Sequence, residues 1–535
     1  MIQKLKNMSI DKIVILCIVM SAIFLNFSQI SSMEINSDFA LYSVRSLGWF
    51  DYVASEGQTS PVQWWGKNPW WGNLSFHDHP PLVFAFQHIS FLLFGENHFA
   101  ARMPFATAGV GLTLISYYFL KKLHDKNTAI LGALMMAISS HILWVGKSGY
   151  LEGIQIFFIT LSIFIFLLFL KTNEKKYLYL WGGATGCALL SKYTALFLLP
   201  SVFFYLINRK VLVKSLHFYC SLLIIIAVVS PAIIYNIMMY YTRSHFDASL
   251  SILTGNVPDD FSAFQKEKEF HFFKNFYSVI KTFLLNTSFS YIFLYSSAIL
   301  FLFTEFVQKK IDHQKIFIII NLIFLFTMLV FGNAQSHHIT LLQPFLIILS
   351  SFAIVEFFQK IKKKKIIKKF FIGILFAIFS FELFFNFNTN ILIKPAVNNS
   401  HFFSPFRFYN QGFIEMEKFF KKNIFSGLII KRKNPPIKKQ GLDVNLFDRD
   451  FLIIVDDRMN WFSSFWYLQR YTMYYNIPAV TFVGLSSIMQ ENNIPLSDML
   501  KVIKSFRAKK YVFIFVEKRG FMRNNLPLTT KTWKV

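Results

Sequence analysis

The sequence predicts a polytopic α-helical membrane protein carrying a small C-terminal soluble α/β domain. Three observations lead there. Charged residues are only 16% of the 535, against 54% hydrophobic and 19% aromatic, with 67 Phe; a soluble domain carries about a quarter charged residues. Apolar runs of roughly 17–25 residues recur as far as position 388, and such runs satisfy their backbone only as helices in a membrane. The basic residues fall in short clusters between those runs, so the net charge of +26 suits loops facing an anionic leaflet. It does not suit nucleic acid, because no domain displays it.

Taken in order, spans are expected near 13–30, 99–120, 127–145, 151–170, 177–191, 193–208, 215–235, 282–306, 315–332, 339–358 and 370–388, about 11 in all. Lys4, Lys6 and Lys12 precede the first span, and no small-residue cleavage site follows Ile30, which reads as an uncleaved helix. Lys121-Lys122, Lys171 with Lys175-Lys176, Arg209-Lys210 with Lys214, Lys309-Lys310 with Lys315, and the Lys-rich stretch 359–369 occupy alternate loops. Placing them all inside puts the N-terminus in the cytoplasm. The loop 31–98, the turn 146–150, the loop 236–281, the turn 332–338 and everything after 388 are then outside.

Within the first loop, 38–50 reads as a short helix. Residues 82–94 are apolar all round, too short to span, and start after Pro80-Pro81, as an interfacial helix would. Trp64, Trp65, Trp70 and Trp71 suit a headgroup-level anchor or, more sharply, sugar stacking. The chain divides into a transmembrane domain, 1–398, and a soluble domain, 399–535. In the latter, Phe451–Val455 and Tyr511–Val516 read as buried strands and Leu496–Phe506 as an amphipathic helix. Cys17, Cys187 and Cys220 lie in apolar spans without ligand spacing and read as small buried hydrophobes.

Several polar residues fit neither loops nor lipid. Asp38 begins the short helix, either as an N-cap or as a base; Glu34 lies four residues earlier and Tyr42 four later. Asp78 and His79, with His77 before them and Pro80-Pro81 after, read as site lining, fold punctuation or a metal site. Glu152 opens a span, where an acid is expensive and usually functional; a helix-dipole role is the plain alternative. Lys147 precedes it. Lys192 stands between two spans on the outer side, where the inside-positive rule does not explain it; a phosphate partner or snorkelling does. Gly182, Gly183 and Gly186 before it permit close helix packing.

Three motifs carry a resemblance: Asp38-Phe39-Ala40-Leu41-Tyr42, then His79-Pro80-Pro81 followed by Arg102-Met103-Pro104, then Leu189-Leu190-Ser191-Lys192-Tyr193-Thr194. Together they resemble the polyprenyl-phosphate-sugar-dependent glycosyltransferases, the protein-mannosyltransferase and lipid A aminoarabinose-transferase superfamily with the GT-C membrane fold. Phe39 replaces the second acid of the family's usual Asp-Glu pair. The resemblance covers roughly residues 13–350.

It implies an inverting transfer of a monosaccharide from a polyprenyl-phosphate donor to an envelope glycolipid, glycan or protein on the outer face of the bacterial inner membrane. Asp38 and Glu152 would be the catalytic acids. Lys192, Arg102, His338 and Lys147 would hold the donor phosphate. Glu34, Tyr42, Asp78, His79, His337, Arg243 and His245 would line the donor and acceptor sites. No cofactor and no metal is called for, and the partners are the lipid donor, the acceptor and membrane lipids. A transporter of lipid-linked glycans would also need intramembrane polar groups, but no internal repeat is visible. A catalytically inactive relative is the third reading, kept open by Phe39.

Overall fold

A computed structural model describes residues 10–48, 79–207, 215–255, 271–332, 334–392, 412–426, 447–456, 461–482, 501, 503–516 and 528–533. In chain order the helices are α1 (Ile10–Phe27), α2 (Asp38–Gly48), α3 (Leu82–Phe94), α4 (His98–Leu123), α5 (Lys126–Ile138), α6 (Ser140–Ser148), α7 (Glu152–Thr172), α8 (Lys176–Ser191), α9 (Leu198–Leu206), α10 (Leu216–Arg243), α11 (Ala248–Thr254), α12 (Phe272–Asn286), α13 (Phe289–Val307), α14 (His313–Phe331), α15 (Gln343–Lys360), α16 (Lys365–Asn386) and α17 (Phe413–Asn423). Then come β1 (Leu452–Asp456), the short helices α18 (Trp461–Ser464) and α19 (Arg470–Tyr475), β2 (Ala479–Phe482), β3 (Tyr511–Val516) and β4 (Leu528–Trp533).

Two compact units result. One contains residues 1–30, 76–90 and 99–408; the other contains 31–75, 91–98 and 409–535. The second unit thus gathers parts of the first large loop with the C-terminal region, where the sequence suggested a single cut at 398.

Eight described helices of the first unit are long and apolar enough to cross a membrane, and the bent pair α5–α6 makes up to nine. Two expected spans, at 177–191 and 193–208, are the shorter α8 and the 3-10 helix Tyr193–Phe197 running into α9. The expected span 282–306 is shorter as well. Ser288 accepts a hydrogen bond from the Tyr291 amide and starts α13 afresh, so the preceding residues form the separate helix α12.

The expected span 127–145 is broken, with α5 and α6 meeting at 49°. Ser139 is extended there, which frees backbone groups inside the unit. One face of α16 and the turn after it satisfies them. Glu382 Oε1 accepts from the Ser140 amide (2.9 Å), Asn386 Nδ2 donates to Ile138 O (3.0 Å), and Asn390 Nδ2 donates to Ser140 O (2.9 Å). Broken helices are tolerated at membrane depth when such partners are supplied.

Small residues let α8 approach α10 closely. A Cβ on Gly182 would sit 2.5 Å from Ser221 O, and one on Gly186 would sit 2.6 Å from Val228 Cβ. Gly183 faces open space. Gly182→Val should therefore lower the thermal unfolding midpoint, at an overpacking cost of roughly 1–3 kcal/mol, while Gly183→Ala should leave it near the parent value. Equal midpoints would mean that the two helices part freely.

Contacts among the described residues bring several of the basic loops together at one end of this unit. Lys171 Nζ donates to Lys122 O (2.7 Å), and Lys315 pairs with Glu305 (2.8 Å) and Glu356 (2.7 Å). Glu152, Lys192 and His338 come at the other ends of α7, α8 and α15.

In the second unit the sheet order is β2-β1-β3-β4, with β1 parallel to both neighbours and β4 antiparallel to β3. The two strands read from sequence are β1 and β3. The expected helix 496–506 lies mostly outside the described residues, as do the four tryptophans at 64–71. Glu417 of α17 is buried and accepts from Arg470 Nη2 (2.6 Å) and from the Tyr471 hydroxyl (2.5 Å).

Candidate active site

The polar cluster of the first unit forms where three chain segments turn. Glu152 is the first residue of α7, and Leu151 before it offers no capping side chain. Lys192 ends α8 in extended backbone, and Gln155 fixes that turn: its Nε2 donates to Lys192 O (2.7 Å) and its Oε1 accepts from Thr194 (3.0 Å). His338 opens the 3-10 turn before α15, and its Nδ1 accepts from the Gln335 amide (3.1 Å).

These segments bring four side chains together. Lys192 Nζ lies 2.5 Å from Glu152 Oε1 and 3.1 Å from His338 Nε2. His338 Nε2 and His337 Nε2 stand 3.4 and 3.9 Å from the same carboxylate oxygen. Glu152 is 1% exposed and Lys192 12%. The His337 ring stacks on Tyr150 at 4.3 Å and 5°. Burial pushes the His337 imidazole down to about 4, so it is neutral near pH 7. With Nδ1 accepting, a neutral His338 carries its proton on Nε2, facing Glu152.

The arrangement is a buried carboxylate ringed by nitrogen donors. It can hold Lys192 in place and offer the ammonium's remaining N–H groups to an anion. Glu152, His337 and His338 also place one potential ligand atom each within 4.8 Å of one another. The Lys192 ammonium already sits among them, so a metal ion would have to displace it.

A second cluster stands beside the first. Asp247 Oδ2 accepts from the Tyr193 hydroxyl (2.7 Å) and from Asn236 Nδ2 (2.9 Å); Oδ1 accepts from the Leu250 amide (2.9 Å). It ties the loop after α10 to the residue following Lys192. Burial raises the Asp247 carboxyl to about 6. Because the folded value lies above the unfolded one, this contribution to stability is full below about pH 4 and is lost as pH rises through about 6. The thermal midpoint of the parent should therefore fall relative to that of Asp247→Asn between about pH 4 and 6. Parallel pH profiles would remove Asp247 as the cause.

The other candidates are placed as follows. His79 is half-buried, with Nδ1 3.3 Å from Ser249 Oγ. His245 is buried, its Nδ1 2.6 Å from Phe246 O. Arg102 is fully buried and donates from Nε to Lys147 O (2.8 Å) and from Nη1 to Ile30 O (3.2 Å). Lys147 is 2% exposed and donates to Ser28 Oγ (2.9 Å) and Asn390 O (3.1 Å). Both basic groups tie helix ends together, so neither is carried forward as a phosphate ligand. Asp78 and the Arg243 side chain lie outside the described residues.

In the second unit, Glu34 is buried and its Oε1 accepts from the Phe413 (2.5 Å) and Ile414 (3.3 Å) amides. It caps α17, whose N-cap residue, Gly412, has no side chain; this replaces the site-lining role expected for Glu34. Asp38 is the first residue of α2. Phe39–Leu47, Tyr42 included, are buried, whereas Asp38 itself is half-buried. Asp38 is thus the least buried residue at the start of an otherwise buried helix.

Tyr150 and Gln155 carry parts of the site that the sequence did not single out, while Asp247 stands beside Arg243 and His245 among the acceptor-side candidates that the resemblance implies. Tyr150 and Gln155 flank Glu152, and that proximity was the available signal. Nothing in sequence joins Asp247 to Tyr193.

Residues 78–235 match the family model described as dolichyl-phosphate-mannose-protein mannosyltransferase. A Bacillus subtilis (strain 168) protein described as "Putative mannosyltransferase YkcB" is 29% identical over 168 residues, 30% of this chain. The match spans only 23% of that relative's length. The crystal structure of the Archaeoglobus fulgidus oligosaccharyltransferase in the apo form superposes with a TM-score of 0.55 at 12% identity, covering 95% of this chain and 69% of that one. ArnT from Cupriavidus metallidurans bound to undecaprenyl phosphate gives 0.55 at 13%, covering 96% and 97%.

The chain is a polytopic membrane protein with the fold of the GT-C glycosyltransferases. Within that class, residues 78–235 are similar to the protein mannosyltransferases, as the motifs implied.

Proposed function

We propose that this protein is a membrane glycosyltransferase that moves a monosaccharide from a polyprenyl-phosphate donor to an envelope glycolipid, glycan or protein, with inversion. The observation that carries this reading is the Lys192–Glu152–His338 cluster, buried at the end of the first unit away from the basic clusters. With those clusters in the cytoplasm, the site belongs to the outer leaflet and the C-terminal domain to the outside.

The chemistry follows from the inventory. Asp38 takes the proton from the acceptor hydroxyl, whose oxygen bonds to the anomeric carbon. The sugar–phosphate bond breaks, and the polyprenyl phosphate leaves with the electron pair. Lys192 donates to the phosphate as its charge grows, assisted by His338 Nε2–H. Glu152 keeps the ammonium aimed. ArnT, of the same fold, has been crystallised with undecaprenyl phosphate, which supports a donor of this class. The charged residues of the candidate site stand at the ends of α7, α8 and α15 rather than at the midplane, unlike those of a typical transporter.

The test uses the full chain in lipid nanodiscs with a panel of polyprenyl-phosphate hexoses and pentoses plus a lysate-derived envelope acceptor fraction. Release of polyprenyl phosphate coupled to a labelled acceptor is expected for one donor. Movement of intact donor across proteoliposomes, with no transfer to any acceptor, would replace this reading by transport.

A further inference from the structure

A groove between α13, α15 and α16 has an apolar interior of about 350 Å³. Ala298 and Phe301 of α13, Ala353 and Phe357 of α15, and Phe371 and Leu375 of α16 line it. Its volume falls in the ligand-pocket range of about 300–1,000 Å³. Ala353 and Phe357 come ten and fourteen residues after Gln343, which places the groove roughly 15–21 Å along α15 from the His338 end. It is separate from the polar cluster, and its walls are three membrane-length helices.

Charge collects at one mouth. Residues 359–369 hold seven lysines and no acid. Lys360 Nζ stands 4.2 Å over the Phe301 ring, directly against the lining, and its side chain is 56% exposed. Lys368 Nζ lies 5.4 Å over Phe358, and Lys362, Lys364 and Lys365 are exposed. Glu305, 3.6 Å from Lys360, is the one acid paired with it among the described residues, and Glu305 also pairs with Lys315. A cluster of cations beside a membrane helix favours an anionic headgroup, and the aromatic groove beneath it favours a hydrocarbon chain.

We infer that this groove is a binding site for an anionic glycerophospholipid, with an acyl chain along Ala298, Ala353 and Phe371 and the phosphate on Lys360, Lys365 and Lys368. The site has a structural consequence. The α16 span is the least buried of the eight, at 17% of its window, and its far end holds the α5–α6 break through Glu382, Asn386 and Asn390. A lipid seated between α16 and its neighbours fixes the helix that keeps that break in register. The inference does not depend on the sugar-transfer reading.

The experiment is spin-labelled lipid contact, measured on the full chain in phosphatidylcholine nanodiscs carrying labelled phosphatidylglycerol or labelled phosphatidylcholine. The parent should immobilise phosphatidylglycerol several-fold more than phosphatidylcholine, and high salt should reduce that preference. Lys360→Ala/Lys365→Ala/Lys368→Ala should bring the two lipids to parity. Ala353→Phe should lower immobilisation of phosphatidylglycerol while leaving the lysines intact. Thermal unfolding of each variant in phosphatidylcholine alone checks that it folds; if Ala353→Phe does not, Ala298→Val replaces it. Equal immobilisation of the two lipids by the parent overturns the proposal. So does a preference that survives the triple lysine change, or displacement of the label by undecaprenyl phosphate alone, which would make the groove part of a donor-lipid track.

Discussion

Lys192→Ala should lose donor binding and stability together. The ammonium is the counter-charge of Glu152, at 2.5 Å, with 1% of the carboxylate exposed. Removing one member of a buried ion pair typically costs about 3–5 kcal/mol, because the other charge is left uncompensated. His338 and His337 are close enough to soften that loss. The same change removes the N–H donors expected to meet the phosphate, so affinity and turnover should fall together. Lys192→Arg should rescue only in part, since a guanidinium fork is bulkier than an ammonium and differently directed. Lys192→Ala/Glu152→Gln separates the two effects. It relieves the stranded carboxylate and should recover much of the thermal midpoint, yet it should still bind polyprenyl phosphate poorly in nanodiscs. Parent-like donor affinity in that double variant would reduce Lys192 to a structural counter-ion.

Asp38→Asn should slow transfer by ~100- to 10,000-fold, the usual cost of losing a general base, while donor affinity and folding stay near the parent. Asparagine keeps the volume and an acceptor oxygen, so a plain N-cap would survive the change. The helix behind Asp38 is held by its buried residues Phe39–Leu47 rather than by the carboxylate. Single-turnover rates with preloaded donor give the cleanest measurement. Undiminished transfer would move the base to Glu152. Glu34 no longer competes, because it holds the α17 amides.

The membrane class was legible because lipid imposes long apolar runs and short basic loops that survive in a bare sequence. The weak points were the short segments. Apolar length alone does not reveal a break at Ser139, or the restart at Ser288, since each depends on a few polar side chains. The strands β1 and β3 were visible as apolar runs bounded by polar residues. The contribution of 31–75 to the same unit was not visible, because such contacts join residues hundreds of positions apart.

Within the site, the sequence picked out Glu152 and Lys192, since each stands at the edge of an apolar run where an ionisable side chain is expensive, and the family resemblance added His338. Their meeting at one carboxylate oxygen was decided by tertiary structure: the three lie 40 to 186 positions apart in sequence, and only the packing of α7, α8 and α15 brings them within hydrogen-bonding range. Packing likewise turned Glu34 into a helix cap and Arg102 and Lys147 into ties between helix ends. Sequence determined which residues carry charge into an apolar region. The fold decided which of those charges are consumed in holding it together and which are left to meet a ligand, because a charged group's role is set by its nearest partners, and those come from distant parts of the chain.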